Sequence, residues 1–252
     1  MKQKRKTILI TGGSEGIGAQ FAEAFSKEGH NLILVARNYI KLNEVKVRLE
    51  NQYHNRIRII SFDLSKEGSA QKLYDEINEI KIDILINNAG FGMVGESWKQ
   101  SIEKDERMVQ LNISSMMSLM KLILKDMIER DEGIIVNVGS LGGFQPGPYI
   151  ATYYATKSFV LQYTKAVAKE IKHTSVRIHC LAPGPVRTSF HTKANDYISR
   201  FSISTERCVK YTLDYLGTRK VVLIPGFIMR LSLFLPEGIR MYFIEKQKKK
   251  AL

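Results

Sequence analysis

Tyr153 and Lys157 stand four residues apart in Tyr153-Tyr154-Ala155-Thr156-Lys157, and Ser140 lies thirteen residues before Tyr153. These residue types can interconvert a carbonyl and an alcohol without a metal. On a helix, positions i and i+4 share a face, with Cβ atoms roughly 5–6 Å apart. An ammonium at that range favours the ionised phenol and draws its pKa down from about 10. The phenol then exchanges a proton nearer neutral pH. Tyr154 has no lysine four residues on, and it is turned about 100° around the helix. A Tyr–Lys pair at this spacing also arises by chance in many helices, so its weight comes from the rest of the chain.

The elements that must position the trio begin at the amino end. Residues 7–11 are a short β-rich apolar run. They lead into Gly12-Gly13-Ser14-Glu15-Gly16-Ile17-Gly18 and then an amphipathic stretch, 19–25. Strand, glycine turn and helix form the context of a dinucleotide fingerprint. Glycines let the main chain approach a pyrophosphate, and the helix start offers it free N–H groups. Gly12, Ser14, Gly16, Ile17 and Gly18 are therefore cofactor-binding candidates. The spacing is Gly-x-x-x-Gly-x-Gly, not Gly-x-Gly-x-x-Gly. A second apolar run, 31–36, ends at Arg37, nineteen residues beyond Gly18. That is close to the roughly 20-residue offset at which such folds meet the adenosine ribose. An acid there would grip the 2′-hydroxyl of NAD. A guanidinium matches the 2′-phosphate of NADP in charge and shape, and Lys41 sits one turn on. This favours NADP(H) over NAD(H); the plain alternative is a surface arginine closing a strand.

With further motifs in order, the chain resembles a compact short-chain dehydrogenase/reductase over about residues 6–190. The motifs are Thr11-Gly12-x-x-x-Gly16-x-Gly18, Asp63-Leu64, Asn87-Asn88-Ala89-Gly90, Asn112, Ser140, Tyr153-x-x-x-Lys157 and Pro183-Gly184-x-Val186-x-Thr188. The resemblance implies Tyr153 as acid/base and Lys157 as holder of the nicotinamide ribose. It implies Ser140 as partner of the substrate carbonyl and Asn112 as anchor of a relay water. Asp63, with Leu64, would meet the adenine, and Asn88, Ala89 and Gly90 would line the adenosine side. Pro183, Gly184, Val186 and Thr188 would cover the nicotinamide. Glu15 departs from the pattern, because NADP-preferring relatives often carry a basic residue there.

The alternation of strands near 7–11, 31–36, 57–62, 82–86, 133–138, 175–181 and 220–224 with helices 15–28, 39–51, 66–80, 101–130, 152–172 and 203–216 implies an α/β fold. The expectation is a Rossmann-type, doubly wound, parallel seven-stranded sheet in three α/β/α layers. Residues 1–252 read as one domain. A substrate lid is expected at about 188–216, with aromatic Phe190, His191, Tyr197 and Phe201. His191 reads as a polar loop residue. In relatives of this kind the helices at 101–130 and 152–172 form a subunit interface, which implies a homodimer or homotetramer. Met108, Leu111, Met116, Met120, Leu124, Phe159, Tyr163 and Val167 would take part, unless they simply fill the core.

The chain has 252 residues, 44% of them hydrophobic, and a net charge of +13. Cys180 and Cys208 are too few for a disulfide framework, which fits a reduced, cytoplasmic setting. The apolar run after the basic start is shorter than the roughly 7–15 residues of a secretory signal. No stretch reaches the roughly 20 apolar residues of a spanning helix. Lys2, Lys4, Arg5 and Lys6 at one end, and Lys246, Lys248, Lys249 and Lys250 at the other, concentrate the charge. Such runs are usually solvated tails. No motif accompanies them that would point to nucleic acid.

The carboxyl-terminal extension, about 225–252, is strongly apolar. Phe227, Leu231, Phe234 and Leu235 follow one helical face, and Pro236 and Gly238 should separate a second short helix. It could pack on the body or a neighbouring subunit, cap an apolar substrate pocket, or touch a membrane surface beside the lysines.

The function expected is metal-free, NADP(H)-dependent reduction of a ketone, acyl or other lipophilic carbonyl to an alcohol. A non-catalytic redox sensor is the alternative, although such proteins typically lose the Tyr-x-x-x-Lys pair. A sugar-nucleotide epimerase would need a larger carboxyl-terminal substrate domain.

Overall fold

The computed structural model describes residues 5–194, 196 and 202–251. Lys2, Lys4, Tyr197 and Phe201 lie outside them, as does the side chain of His191. Seven parallel strands form one sheet: β1 (Thr7–Thr11), β2 (Asn31–Ala36), β3 (Ile57–Ser61), β4 (Ile84–Asn87), β5 (Ile134–Val138), β6 (Arg177–Leu181) and β7 (Val222–Leu223), in the order β3-β2-β1-β4-β5-β6-β7. The central strands are apolar along their whole length because helices cover both faces. Alternate side chains serve the two sides. Ile8, Ile10, Leu32 and Leu34 pack against α1 (Gly16–Lys27), α2 (Tyr39–Tyr53) and α8 (Thr205–Asp214). Leu9, Ile33, Val35 and Leu85 pack against α3 (Ser69–Ile77) and α5 (Met116–Glu129). The chain reverses direction across the sheet between β1 and β4, and the carboxyl ends of strands at such a switch point form a ligand crevice.

The helix expected over 101–130 is interrupted. It comprises α4 (Ile102–Val109), a wider π-helical turn (Gln110–Ser115) and α5. Asn112 lies in that turn, a distortion found frequently at functional sites. The last strand has two residues rather than five. Helix α6 (Ala151–Glu170) carries Tyr153 and Lys157. Then come α7 (Phe190–Lys193), α9 (Phe227–Ser232) and α10 (Glu237–Lys249). Pro236 separates the last two, whereas Gly238 lies inside α10. Of the alternatives for the apolar face of Phe227, Leu231, Phe234 and Leu235, burial against the body is not seen, since all four side chains are exposed.

Met108, Leu111, Met116, Met120, Leu124 and Val167 are buried within this one chain. Of the expected interface set, the stacked Phe159 and Tyr163, 5.4 Å apart, keep partial exposure. Cys180 and Cys208 are free and buried.

His179 of β6 is fully buried, with Nδ1 2.8 Å from the Lys220 carbonyl and Nε2 accepting from the Gly217 N–H at 3.2 Å. This neutral tautomer ties β6 to the loop before β7. Burial lowers its pKa, and Arg177 acts in the same direction. His30 is lowered by burial as well. An unfolded histidine takes up a proton near pH 6.5, so the contribution is complete above that pH and is lost as pH falls through the folded value. The melting temperature is therefore expected to fall below about pH 6.5. His179→Gln, which keeps a donor and an acceptor, should make that fall shallower, with His30 supplying the remainder. An identical slope in the variant would refute the assignment.

Candidate active site

The cavity at the carboxyl ends of the strands begins with the turn after β1. Gly12 (φ +66°) and Gly16 (φ +58°) adopt left-handed angles that favour glycine. A Cβ on Gly18 would stand 2.2 Å from the Gly12 carbonyl oxygen. Helix α1 therefore abuts the turn, and Gly18 lies behind the cavity wall rather than on it. Asn88 Nδ2 donates to the carbonyls of Thr11 (3.0 Å) and Gly12 (3.2 Å), while the N–H groups of Asn88 and Ala89 donate to Thr11 Oγ1, both at 3.0 Å. Ser14, Gly16 and Ile17 face the cavity opposite Ala89 and Gly90. A cradle with no room for side chains beside a helix start fits a dinucleotide pyrophosphate. Asn87, the first residue of that motif, turns inward and donates to the Met116 carbonyl at 3.0 Å.

Arg37 is exposed at the end of β2, on the cavity rim with Asp63 and Leu64. Burial alone would raise the Asp63 pKa. Hydrogen bonds from the Ser65 hydroxyl (2.7 Å) and N–H (3.0 Å), with the charges of Arg37 and Arg107, outweigh it and hold the carboxyl below its ordinary value. Glu15 is held between Lys41, 3.1 Å away, and Lys193 of α7.

Ser140, Tyr153 and Lys157 converge on the floor. Lys157 is buried and donates to the Val138 carbonyl at 2.7 Å. Burial pushes its pKa down to about 8. Tyr153 is pushed up to about 12 by burial, with Ser140 pulling it down and the charge of Asp196 raising it. The expectation that Lys157 lowers the phenol is not met in this structure. The ammonium is turned to Val138, 5.7 Å from the Tyr153 ring centroid, and desolvation dominates both groups. Ser140 Oγ accepts from the Gly142 N–H at 3.0 Å, which leaves its own proton to give. Asn112 sits behind the floor. Its Nδ2 donates to the Phe91 carbonyl (2.9 Å) and Thr156 Oγ1 (3.1 Å), and its Oδ1 accepts from the Phe91 N–H (3.2 Å).

Pro183, Gly184, Val186 and Thr188 line the opposite wall. Met229 of α9 packs on Gly184, where an added Cβ would lie 2.6 Å from the sulfur. Ile228, Leu235, Phe243 and Ile244 extend this wall, and the whole cavity holds about 970 Å³. Lys248 of α10 closes it through a buried ion pair to Asp196, at 2.6 and 2.7 Å. The two side chains are only 6% and 4% exposed.

Comparison with known proteins decides the family. The model for short chain dehydrogenases matches residues 6–198. The chain belongs to that family. It is 24% identical to the mouse very-long-chain 3-oxoacyl-CoA reductase, over 96% of this chain and 83% of the relative. It is 27% identical to the rat 17-beta-hydroxysteroid dehydrogenase type 3, over 82% of this chain and 68% of the relative. A short-chain dehydrogenase from Sphingobium yanoikuyae, solved with NADPH, superposes with a TM-score of 0.85 at 30% identity over 95% of each chain. The protein is an NAD(P)-dependent oxidoreductase acting on CH–OH groups.

Several residues of this dehydrogenase carried no local sequence signal. Gly92 admits the Tyr153 ring, 2.8 Å from where its Cβ would be. Lys193 meets Glu15 across 178 residues, and Asp196 meets Lys248 across 52; neither contact has a helical spacing to betray it. Lys248→Met would remove the buried ammonium that balances the Asp196 carboxylate. It is expected to cost about 3–5 kcal/mol in chemical denaturation, with Asp196→Asn in the same background recovering part. Unchanged stability in Lys248→Met would show that the pair is not held dry.

Proposed function

We propose that this dehydrogenase reduces a bulky, lipophilic ketone to a secondary alcohol, with NADP(H) preferred over NAD(H). The observation that carries this reading is Tyr153: an enclosed phenol, kept protonated at neutral pH, beside Ser140 on the floor of a cavity whose far wall is apolar. A protonated phenol is a proton donor, the role that reduction needs. The bound nicotinamide supplies the hydride. Tyr153 gives its proton to the carbonyl oxygen. Ser140 donates to the same oxygen, an effect of about 3–4 kcal/mol by analogy with oxyanion donors. Lys157 spends one N–H on Val138 and keeps two for the ribose hydroxyls. Asn112 has spent both N–H groups and retains a lone pair on Oδ1 for a relay water.

The wall of Ile228, Met229, Leu235, Phe243 and Ile244 supports a lipophilic substrate. So do the names of the mouse and rat relatives, a very-long-chain 3-oxoacyl-CoA reductase and a hydroxysteroid dehydrogenase. The preference for NADP(H) rests on Arg37 at the rim, with Glu15 neutralised by Lys41 and Lys193. Glu15, the departure from the pattern of NADP-preferring relatives, is thus already paired. Assembly into a dimer would draw on the Phe159–Tyr163 stack of α6.

Tyr153→Phe is expected to lower kcat about 10²- to 10⁴-fold while NADPH affinity, read by fluorescence titration, stays the same. Full turnover in the variant would overturn the role of Tyr153. In the parent protein, NADPH binding with no turnover of any ketone would favour the sensor. Arg37→Asp should weaken NADPH binding on the order of 10- to 100-fold and leave NADH binding little changed. Equal losses for the two cofactors would remove Arg37 from phosphate recognition.

A further inference from the structure

The exposed apolar side chains of this dehydrogenase are not scattered. Eight of the fourteen large hydrophobic residues exposed among the described ones fall between Phe227 and Phe243. Phe234 is 86% exposed, Phe227 67% and Tyr242 59%. A soluble surface rarely concentrates apolar groups in this way unless something covers them. Ile228, Leu235 and Phe243 are exposed and also line the cavity, so the apolar surface runs without a break into the cavity mouth.

The charges around this surface indicate what covers it. Arg230, Lys246, Lys249 and Lys250 are exposed on the same two helices or directly after them. The acids of this stretch are Glu237 and Glu245, and Glu245 is already paired with Lys249 at 2.7 Å. A second copy would set one cationic fringe against another on a chain of net charge +13, an arrangement that disfavours self-association. An anionic lipid surface accepts both components: the aromatic and aliphatic side chains enter the headgroup boundary, and the lysines and arginine meet the phosphates. Among the described residues no helix is long and apolar enough to cross a membrane.

We propose that α9 and α10 dock this dehydrogenase on an anionic membrane surface with the cavity mouth facing the lipid, so that substrate enters from the bilayer. The docking stands on the surface alone. The entry route rests on the lipophilic-ketone reading above.

The test uses the full chain and sedimentation with vesicles of phosphatidylcholine alone or with 30% phosphatidylglycerol. Phe227→Glu/Phe234→Glu alters two exposed residues that do not line the cavity. The parent is expected to bind the anionic vesicles at least about tenfold more tightly than the neutral ones, and to be released at high salt. The double variant should lose at least about tenfold of that affinity while reducing a water-soluble ketone at the parental rate. Absence of vesicle binding, or binding that the double variant leaves intact, would overturn the proposal. A parent that sediments as a dimer, becomes monomeric in the variant and ignores vesicles would assign the surface to a second copy. Vesicle binding is read without substrate and turnover without vesicles, so failure of one reading is distinguishable from failure of the other.

Discussion

A lysine side chain kept out of water sets the terms for the site. Lys157 is buried at the heart of the molecule, and an ammonium there needs acceptors to offset its lost hydration. The Val138 carbonyl, the last of β5, provides one at 2.7 Å. That contact fixes the height of α6 against the sheet and hence the position of Tyr153 one turn earlier. The packing is close enough that Gly143, in the turn after Ser140, could not bear a Cβ: it would stand 2.6 Å from the Lys157 carbonyl oxygen. Strand β5, the turn carrying Ser140 and helix α6 are thereby locked into one unit.

The same desolvation decides the proton chemistry. Burial disfavours charge on either partner, so the phenol is driven up to about 12 and the ammonium down to about 8. Spacing alone suggests a lysine that acidifies a tyrosine. The folded protein holds an intact phenol next to a hydroxyl that has accepted one hydrogen bond and can donate another. Asp196 adds negative charge at a distance, and Lys248 balances it.

Electrostatic balance recurs at the other end of the cavity. Glu15, on the turn that leads into α1, carries two lysines, one from α2 and one from α7. The hydrogen bonds from Ser65, with the charges of Arg37 and Arg107, outweigh burial and hold the Asp63 carboxyl below its ordinary value. The rim is therefore cationic on balance, although the residue next to the second motif glycine is an acid.

Much of this was legible in the residues. Gly12 and Gly16 announced a turn that their left-handed backbone angles require, and Gly18 the close approach of α1 behind it. The apolar runs marked the strands because both sheet faces are covered, and Tyr153 and Lys157 share one helix face as their spacing implied, with Ser140 on the same floor. The π-helical turn at Asn112 was hidden, since nothing in 101–130 breaks the helical pattern. The carboxyl-terminal face was legible as an apolar helical stripe, but its covering stays open between the body, a neighbouring subunit, a pocket cap and a membrane, because periodicity records amphipathicity and not what covers it.

The sequence by itself determined the fold family and the glycine turn, and it singled out Ser140, Tyr153 and Lys157 as the candidate proton-handling trio, through motifs in order and, for the last two, through local spacing. Only the tertiary structure decided the protonation balance of Tyr153 and Lys157, the neutralisation of Glu15 and the closure of the cavity by Lys248 and Asp196. Those depend on how far charges lie from water and from one another, and the contacts join residues 178 and 52 positions apart, beyond the reach of any local pattern.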